Sequence, residues 1–251
     1  MRLRILATTT ASILLLTIPL FVGASSRVAV KTKTIAATVK PVAQIRVPAA
    51  TLFDRVSPSV VEVGCNLGSG FVFDHNGYIL TNAHVVAGFS TCNIKLNNNV
   101  ILIGTVVGTD PVNDLAVIKI DQDLPVLALG DSSQSALTQG SKIYLLGHPL
   151  GVSNTIITQG TLTSRHQISN LNYLTTDAAV QAGNSGGPWV NESGQVVGMH
   201  EGILGNPDGT ASGIGLGIPV NTIKNMVPTL KEPVTATVAE KLPFVSWFGS
   251  F

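Results

Sequence analysis

The chain has 251 residues, of which 45% are apolar and only 12% are charged. This composition provides enough apolar side chains for a packed core and is not that of a disordered protein. The formal net charge of +1 at pH 7 gives no electrostatic basis for binding nucleic acid, so we expect no nucleic-acid partner.

The chain begins with the pattern of a targeting segment. Arg2 and Arg4 precede an apolar stretch at residues 5–22, and small residues follow around Gly23. This pattern predicts export across a membrane. It fits a cleaved signal peptide, residues 1–24, and it also fits a retained anchor that tethers the protein to the membrane; the small residues favour cleavage. We therefore expect a periplasmic, extracellular or membrane-tethered protein.

Three further segments are distinguished by composition. Residues 25–48 carry basic but no acidic residues and have no helical apolar period, which is typical of a flexible linker, although their charge would also suit an anionic membrane surface. The main folded domain is expected over residues 49–230. The tail at residues 231–251 is too short for a further domain.

The folded segment consists mainly of short β-branched runs separated by Gly, Asn and Asp, a pattern typical of strands joined by turns. Helical periodicity is nearly absent until residues 220–230, where Ile223, Met226 and Val227 share one side and predict a closing helix. Many short strands without interleaved helices indicate an all-β fold of antiparallel barrels or a sandwich. The predicted strands are 60–63, 70–73, 78–81, 93–96, 100–107, 115–120, 142–146, 155–162, 187–190, 195–199 and 213–218.

The chain contains two cysteines, Cys65 and Cys92. In an exported protein an even number of cysteines makes a disulfide between them a reasonable expectation. Both lie in apolar, strand-like surroundings, so two buried free cysteines are the alternative. Neither belongs to a pattern of metal ligands.

A serine stands among glycines in the run Gly183-Asn184-Ser185-Gly186-Gly187-Pro188. A serine hydroxyl is a poor nucleophile at neutral pH, and it needs a base to take its proton and donors to hold the oxyanion. The glycines remove Cβ atoms around Ser185, so the backbone can turn tightly and direct N–H groups towards a substrate carbonyl. Taken alone, the run also fits a Gly-rich turn with an exposed serine.

His84 is the best candidate for the base, because it follows a predicted strand and lies among small and apolar residues. An acid must orient its imidazole, and Asp114 fits because a predicted strand follows it directly. Asp110 is typical of a turn, and Asp177 is expected to fix a loop near the serine. Of the other four histidines, His75 and His166 are expected to be solvated. His148 and His200 are expected to be structural or to lie in the wall of a cleft.

These motifs together resemble the Deg/HtrA family of trypsin-like serine proteases. The resemblance rests on residues 81–86, 110–117 and 176–188, and it extends through the run Gly68-Ser69-Gly70-Phe71 and others over roughly residues 51–230. It implies an all-β, trypsin-like fold of two six-stranded antiparallel β-barrels, with the cleft between them and a C-terminal helix.

The resemblance also implies the roles of single residues. Ser185 would be the nucleophile, His84 the general base and Asp114 its orienting acid, and the N–H groups of Gly183 and Ser185 would form the oxyanion hole. Peptide bonds would be hydrolysed through an acyl-enzyme, without a metal or an organic cofactor. The expected substrates are unfolded or damaged exported polypeptides.

Assembly and specificity follow less directly. Most members of the family carry PDZ domains after the protease domain, and we expect a member without one. The segment at Leu52 and Phe53 resembles the edge through which relatives form trimers, which implies a homotrimer. The small residues Ala178, Ala179 and Ala182 predict a pocket for small or medium aliphatic side chains, and Glu201 is the nearby acid that would alter this preference.

Two other functions are compatible with the sequence. A catalytically silent peptide-binding or chaperone-like module would keep the same fold, with loops at residues 150–154 and 172–182 holding the site inactive. A membrane-anchored interaction protein would instead be built on residues 5–22 and the aromatic tail.

Overall fold

A computed structural model describes residues 49–151, 154–206 and 210–231. The predicted signal peptide or anchor, the linker and the tail beyond Lys231 lie outside the described residues. Within the described ranges, no helix is both long enough and apolar enough to cross a membrane. Twelve strands and three α-helices occur in this part of the chain. The strands are β1 Val60–Val63, β2 Gly68–Asp74, β3 Tyr78–Thr81, β4 Thr91–Lys95, β5 Ile101–Asp110, β6 Leu115–Lys119, β7 Lys142–Gly147, β8 Ile156–Ile168, β9 Leu171–Thr176, β10 Pro188–Val190, β11 Val196–Gly205 and β12 Ala211–Pro219, and the helices are α1 Ala49–Val56, α2 Ala83–Val86 and α3 Val220–Lys231.

The strands form two closed six-stranded barrels. The hydrogen-bonded order is β1-β2-β3-β6-β5-β4 in the first and β10-β11-β12-β9-β8-β7 in the second, and every pairing is antiparallel. The pairing of Glu62 with Lys95 closes the first barrel, and their side chains form an ion pair at 3.2 Å. This architecture confirms the predicted fold class.

Three apolar cores explain why the strands have nearly continuous apolar runs. Alternate side chains of a strand point to opposite faces. In β3, Ile79 lies in the core of the first barrel, whereas Leu80 lies in a core shared by both barrels and by α1 and α3. In β7, Leu145 lies in the core of the second barrel and Leu146 in the shared core. Burial on both faces thus removes the polar alternation of a half-exposed sheet.

Several local predictions were wrong. Residues 172–182 do not form a single loop, because β9 occupies Leu171–Thr176, and His166 lies in β8 and not in a loop. Ser169 and Asn170 join these two strands with φ angles of 49° and 69°, as the tight turn of a hairpin requires. The turn lacks glycine and the end of β8 is polar, so the sequence pattern there was weak. The helix α1 was also not predicted.

A disulfide joins Cys65 to Cys92 in the structure. Cys65 lies in the turn between β1 and β2, and Cys92 lies in β4 with its side chain in the core of the first barrel. Because β1 and β4 pair to close this barrel, the covalent bond reinforces the closure.

Replacing both cysteines with alanine should lower the free energy of unfolding by about 2–4 kcal/mol, because the unfolded chain regains the freedom that the cross-link removes. Urea denaturation of both proteins measures this difference. Reducing agent should destabilise the wild type and leave the double variant unchanged; equal stability of the two proteins would contradict a disulfide that stabilises the fold.

Candidate active site

The first barrel supplies a histidine and an acid. His84 lies in the single-turn helix α2, just after β3, and not at the end of the strand itself. Asp114 lies directly before β6, with a φ angle of 51° in the left-handed region. The preceding turn is built by Asp110, whose carboxylate accepts the N–H groups of Val112 and Asn113 at 3.0 and 3.1 Å.

Both oxygens of the Asp114 carboxylate bind His84. Oδ2 is 2.8 Å from Nδ1 of the ring, and Oδ1 accepts the backbone N–H of His84 at 2.9 Å. The side chain of Asn82 donates to the backbone oxygen of Asp114 at 3.0 Å and holds the turn in place. Because a carboxylate only accepts hydrogen bonds, Nδ1 carries the hydrogen and Nε2 of the neutral ring is left as an acceptor.

The protonation of His84 reflects opposing effects. Burial lowers its pKa, whereas the hydrogen bond to Asp114 and the negative charges of Asp114 and Glu201 raise it, and the net pKa lies above the ordinary value. The imidazole is 40% exposed and the Asp114 side chain is 19% exposed. The ring is therefore open to a reacting group, while its acid partner is shielded from water.

The second barrel supplies the serine, which lies in the loop between β9 and β10. Gly183 and Gly186 have φ angles of 95° and 83°, which side-chain-bearing residues rarely adopt. A Cβ atom on Gly183 would also lie 2.6 Å from the backbone oxygen of His148. The glycines around Ser185 are thus required by the conformation of the loop.

Ser69, in β2 of the first barrel, holds this loop. Its N–H donates to the oxygen of Ser185 at 2.7 Å, and its hydroxyl donates to the oxygen of Gly183 at 2.7 Å. The same hydroxyl accepts the N–H of His148 at 2.9 Å, and the backbone oxygen of Ser69 accepts the hydroxyl of Thr81 at 2.7 Å. Ser69 belongs to a motif of the sequence but had no predicted role, because its partners in the second barrel are 79 to 116 residues away in the chain.

The hydroxyl of Ser185 donates to the backbone oxygen of Glu201 at 3.2 Å. Among the described residues, it makes no hydrogen bond to His84. The N–H groups of Gly183 and Ser185 likewise donate to no acceptor in this part of the protein. The nearby oxygen of Ala182 is occupied, since it accepts the N–H of Leu150 at 2.8 Å.

Glu201 is a carboxylic acid beside the His84–Asp114 pair. Burial raises its pKa to about 7, the charge of Asp114 adds to this effect, and His84 and the Tyr173 hydroxyl act in the opposite direction. Burial also raises the pKa of Tyr173 to about 12, together with the charges of Glu201 and Asp114. The sequence treated Glu201 only as an acid near a pocket, and Tyr173 was missed because β9 was not predicted.

The other sequence candidates have structural positions. The pKa of His200 is lowered to about 4, mainly by burial and to a smaller extent by the charge of His84. This residue is therefore neutral at physiological pH. Asp177 accepts the N–H of Thr161 at 2.6 Å and does not contact His84 among the described residues. The expectation that Ala178 lines a pocket was wrong, since its side chain is buried in the core of the second barrel. Ala179 does line a shallow pocket beside the serine loop, together with Leu145, Pro149, Ile156, Thr158, Gln181 and Asn184.

Known proteins share this architecture. The family described as trypsin-like peptidase domain matches residues 68–199. The relative named "Probable periplasmic serine endoprotease DegP-like", from Rickettsia conorii, is 38% identical over 175 residues, which cover 66% of this chain and 34% of the relative. The "Protease Do-like 1, chloroplastic" of Arabidopsis thaliana is 36% identical over 187 residues, which cover 70% of this chain and 42% of the relative.

A solved structure, "HtrA-type protease AlgW with tripeptide", matches with a TM-score of 0.67 and 31% identity, over 73% of this chain and 63% of that one. The chain therefore belongs to the family of trypsin-like peptidase domains, and its relatives are Deg/HtrA proteases. It spans about a third to two fifths of the length of the two curated relatives.

Replacing Asp114 with asparagine should lower the pKa of His84, because the variant loses the negative charge that favours the imidazolium. Imidazole NMR spectra recorded across the pH range measure this pKa. The raised pKa of His84 stabilises the folded wild type at pH values below the pKa of an unfolded histidine. This contribution is lost as the pH rises through the pKa of His84 in the folded protein. The variant should consequently lose more stability at about pH 5 than at about pH 9; an unchanged His84 pKa would contradict the coupling.

Replacing Ser69 with alanine should lower the free energy of unfolding by about 1–3 kcal/mol, because the oxygen of Gly183 and the N–H of His148 lose a buried partner. Chemical denaturation provides the measurement. Ser133 serves as the control, since its exposed hydroxyl bonds only to Asp131 and Ser135 nearby in the chain, and its alanine variant should stay within about 0.5 kcal/mol of the wild type. Equal losses in the two variants would refute a special role for Ser69.

Proposed function

We propose that this chain is a serine endopeptidase in which Ser185 is the nucleophile, His84 the general base and Asp114 the acid that orients it. The observation that carries the proposal is the double contact of Asp114 with the ring and the backbone of His84. Ser69 supports it, because it fastens the loop of Ser185 to the barrel that contains both residues.

The reaction begins with a rotation of the Ser185 hydroxyl away from the oxygen of Glu201 and towards Nε2 of His84. The imidazole takes the hydroxyl proton while the serine oxygen attacks the peptide carbonyl, and the resulting imidazolium is stabilised by Asp114. His84 then gives the proton to the leaving amine, which leaves an acyl-enzyme on Ser185. Water, deprotonated by His84, hydrolyses this ester and restores the serine.

The oxyanion of each tetrahedral intermediate would be held by the N–H groups of Gly183 and Ser185. Two carbonyl groups of the loop support this assignment. The oxygen of Ala182 accepts the N–H of Leu150, and the oxygen of Gly183 accepts the hydroxyl of Ser69. Both oxygens therefore have protein donors, while the two N–H groups have no protein acceptor in the described residues and are available to a substrate.

The substrates we propose are unfolded or damaged exported polypeptides, which would make the protein part of protein quality control. Beyond His200, β11 pairs only with β12 among the described residues, so its other edge is available for an extended peptide to add as a strand. An unfolded chain can adopt this extended form at any position, whereas most segments of a folded domain are held in their own structure. The solved HtrA-type relative contains a bound tripeptide, and the Rickettsia relative is named as periplasmic.

Export and trimer formation remain part of the proposal. The targeting segment predicts export, with residues 1–24 cleaved as a signal peptide. Leu52 is only 1% exposed and packs in the shared core, so of the two residues at the predicted trimer edge only the partly buried Phe53 retains surface to contribute. Light scattering of the purified protein tests the homotrimer, and a monomer mass would reject it.

Replacing Ser185 with alanine should lower the rate of casein degradation by several orders of magnitude, because the acyl-enzyme cannot form. Replacing His84 with alanine should have a similarly large effect. His75 provides the matched control, since it is a highly exposed histidine of the same barrel and its alanine variant should keep full activity.

Circular dichroism of each variant shows whether the fold is intact. Undiminished proteolysis by a folded Ser185→Ala protein would reject Ser185 as the nucleophile. Absence of proteolysis in the wild type, together with peptide binding, would instead favour the catalytically silent module.

A further inference from the structure

Glu201 connects to the proposed site through both its backbone and its side chain. It follows the buried His200 in β11, and its backbone oxygen accepts the Ser185 hydroxyl. Its carboxylate oxygen Oε2 is buried and has no hydrogen-bond partner among the described residues. Burying a carboxylate oxygen that has no hydrogen-bond partner is costly, and neither the assembly of the barrels nor the His84–Asp114 pair requires it.

The titratable groups that face Glu201 come from three other elements. They are His84 of α2, Asp114 before β6 and Tyr173 of β9, and no Lys or Arg of the described chain is among the groups that act on it. On its own strand, the neighbouring His200 interacts with His84 and is neutral. The only group in this cluster that can compensate the charge of Glu201 is therefore His84, when it is protonated.

We propose that Glu201 is a positioning residue for catalysis, whose carboxylate acts together with Asp114 to stabilise the imidazolium that His84 forms when it takes the proton of Ser185. This inference rests on the proposed function. The proton moves from Ser185 Oγ to Nε2 of His84 and later to the leaving amine, and at no step does it pass to Glu201. The Tyr173 hydroxyl donates to the Glu201 carboxylate and favours its charged form.

The role of Glu201 predicts a distinctive dependence on pH. Full activity needs a neutral His84 and an ionised Glu201. Burial raises the pKa of Glu201 to about 7, and the negative charges of Asp114 and Glu201 raise the pKa of His84. Two protons must therefore leave as the pH rises, and the two groups titrate as a coupled pair. His200 and Tyr173 do not contribute, because their pKa values of about 4 and about 12 lie far from that of Glu201.

The test is the pH profile of kcat/KM for a peptide without ionisable side chains. The wild type should show an acid limb with a slope greater than one in the logarithmic plot. In Glu201→Gln the slope should fall to one and the midpoint should move to lower pH, because His84 loses a neighbouring negative charge. At about pH 8 the variant should have a kcat about tenfold lower, since one pKa unit of lost stabilisation corresponds to a factor of ten.

Two further variants separate this role from a structural one. Glu201→Asp keeps the charge and should restore part of the wild-type slope and rate. Glu192→Gln removes the charge of an exposed glutamate that pairs with Lys142 at 3.4 Å on the surface, and it should leave the profile unchanged. A profile of Glu201→Gln with the wild-type slope, midpoint and kcat would overturn the proposal.

A measurement without catalysis keeps the inference distinguishable from the proposed function. The pKa of His84, measured by NMR in the Ser185→Ala background, should fall when Glu201→Gln is added. If Glu201→Gln does not fold, the same measurement is made with Tyr173→Phe, which should also lower the His84 pKa because Glu201 loses the donor that favours its charge. An unchanged pKa overturns the role of Glu201, whereas proteolysis by Ser185→Ala alone overturns the proposed function.

Discussion

Ser69 joins the two barrels through its backbone N–H and its hydroxyl. Its N–H and hydroxyl bind the serine loop of the second barrel, its hydroxyl also accepts from the start of the neighbouring loop at His148, and its carbonyl is held by Thr81 within the first barrel. All these contacts are buried, where a hydrogen bond is stronger and an unmade one is more costly than at the surface. Ser69 therefore holds the loop of Ser185 against the barrel that contains His84 and Asp114.

The shared core makes this docking stable. Phe71, Leu80 and Val117 of the first barrel contact a cluster that includes Leu146 and Met199 of the second, and α1 and α3 pack against the same cluster. Neither barrel alone would bury these side chains.

Burial gives different protonation states to neighbouring groups of similar chemistry. His84 has a carboxylate partner and its pKa is raised, whereas His200 is buried, shows no hydrogen-bond partner for Nδ1 in the described residues, and stays neutral. Asp114 accepts two hydrogen bonds from His84, while Glu201 has a buried oxygen without a partner and a raised pKa. The pKa values of these groups are therefore set by their positions in the fold more than by their residue types.

The sequence by itself determined the strands other than β9, the closing helix and the candidate residues His84, Asp114 and Ser185, because β-branched runs, turn residues and short motifs are local signals. It also distinguished Asp114 from Asp110 by the strand that follows, and the structure brings Asp114 within 2.8 Å of His84. Only the tertiary structure decided the contacts of Ser69, Tyr173 and Glu201, and the existence of β9. The contacts of these residues join segments that are distant in the chain. The free-energy cost of burying a carboxylate or a hydroxyl depends on these distant neighbours, which a local sequence pattern does not contain.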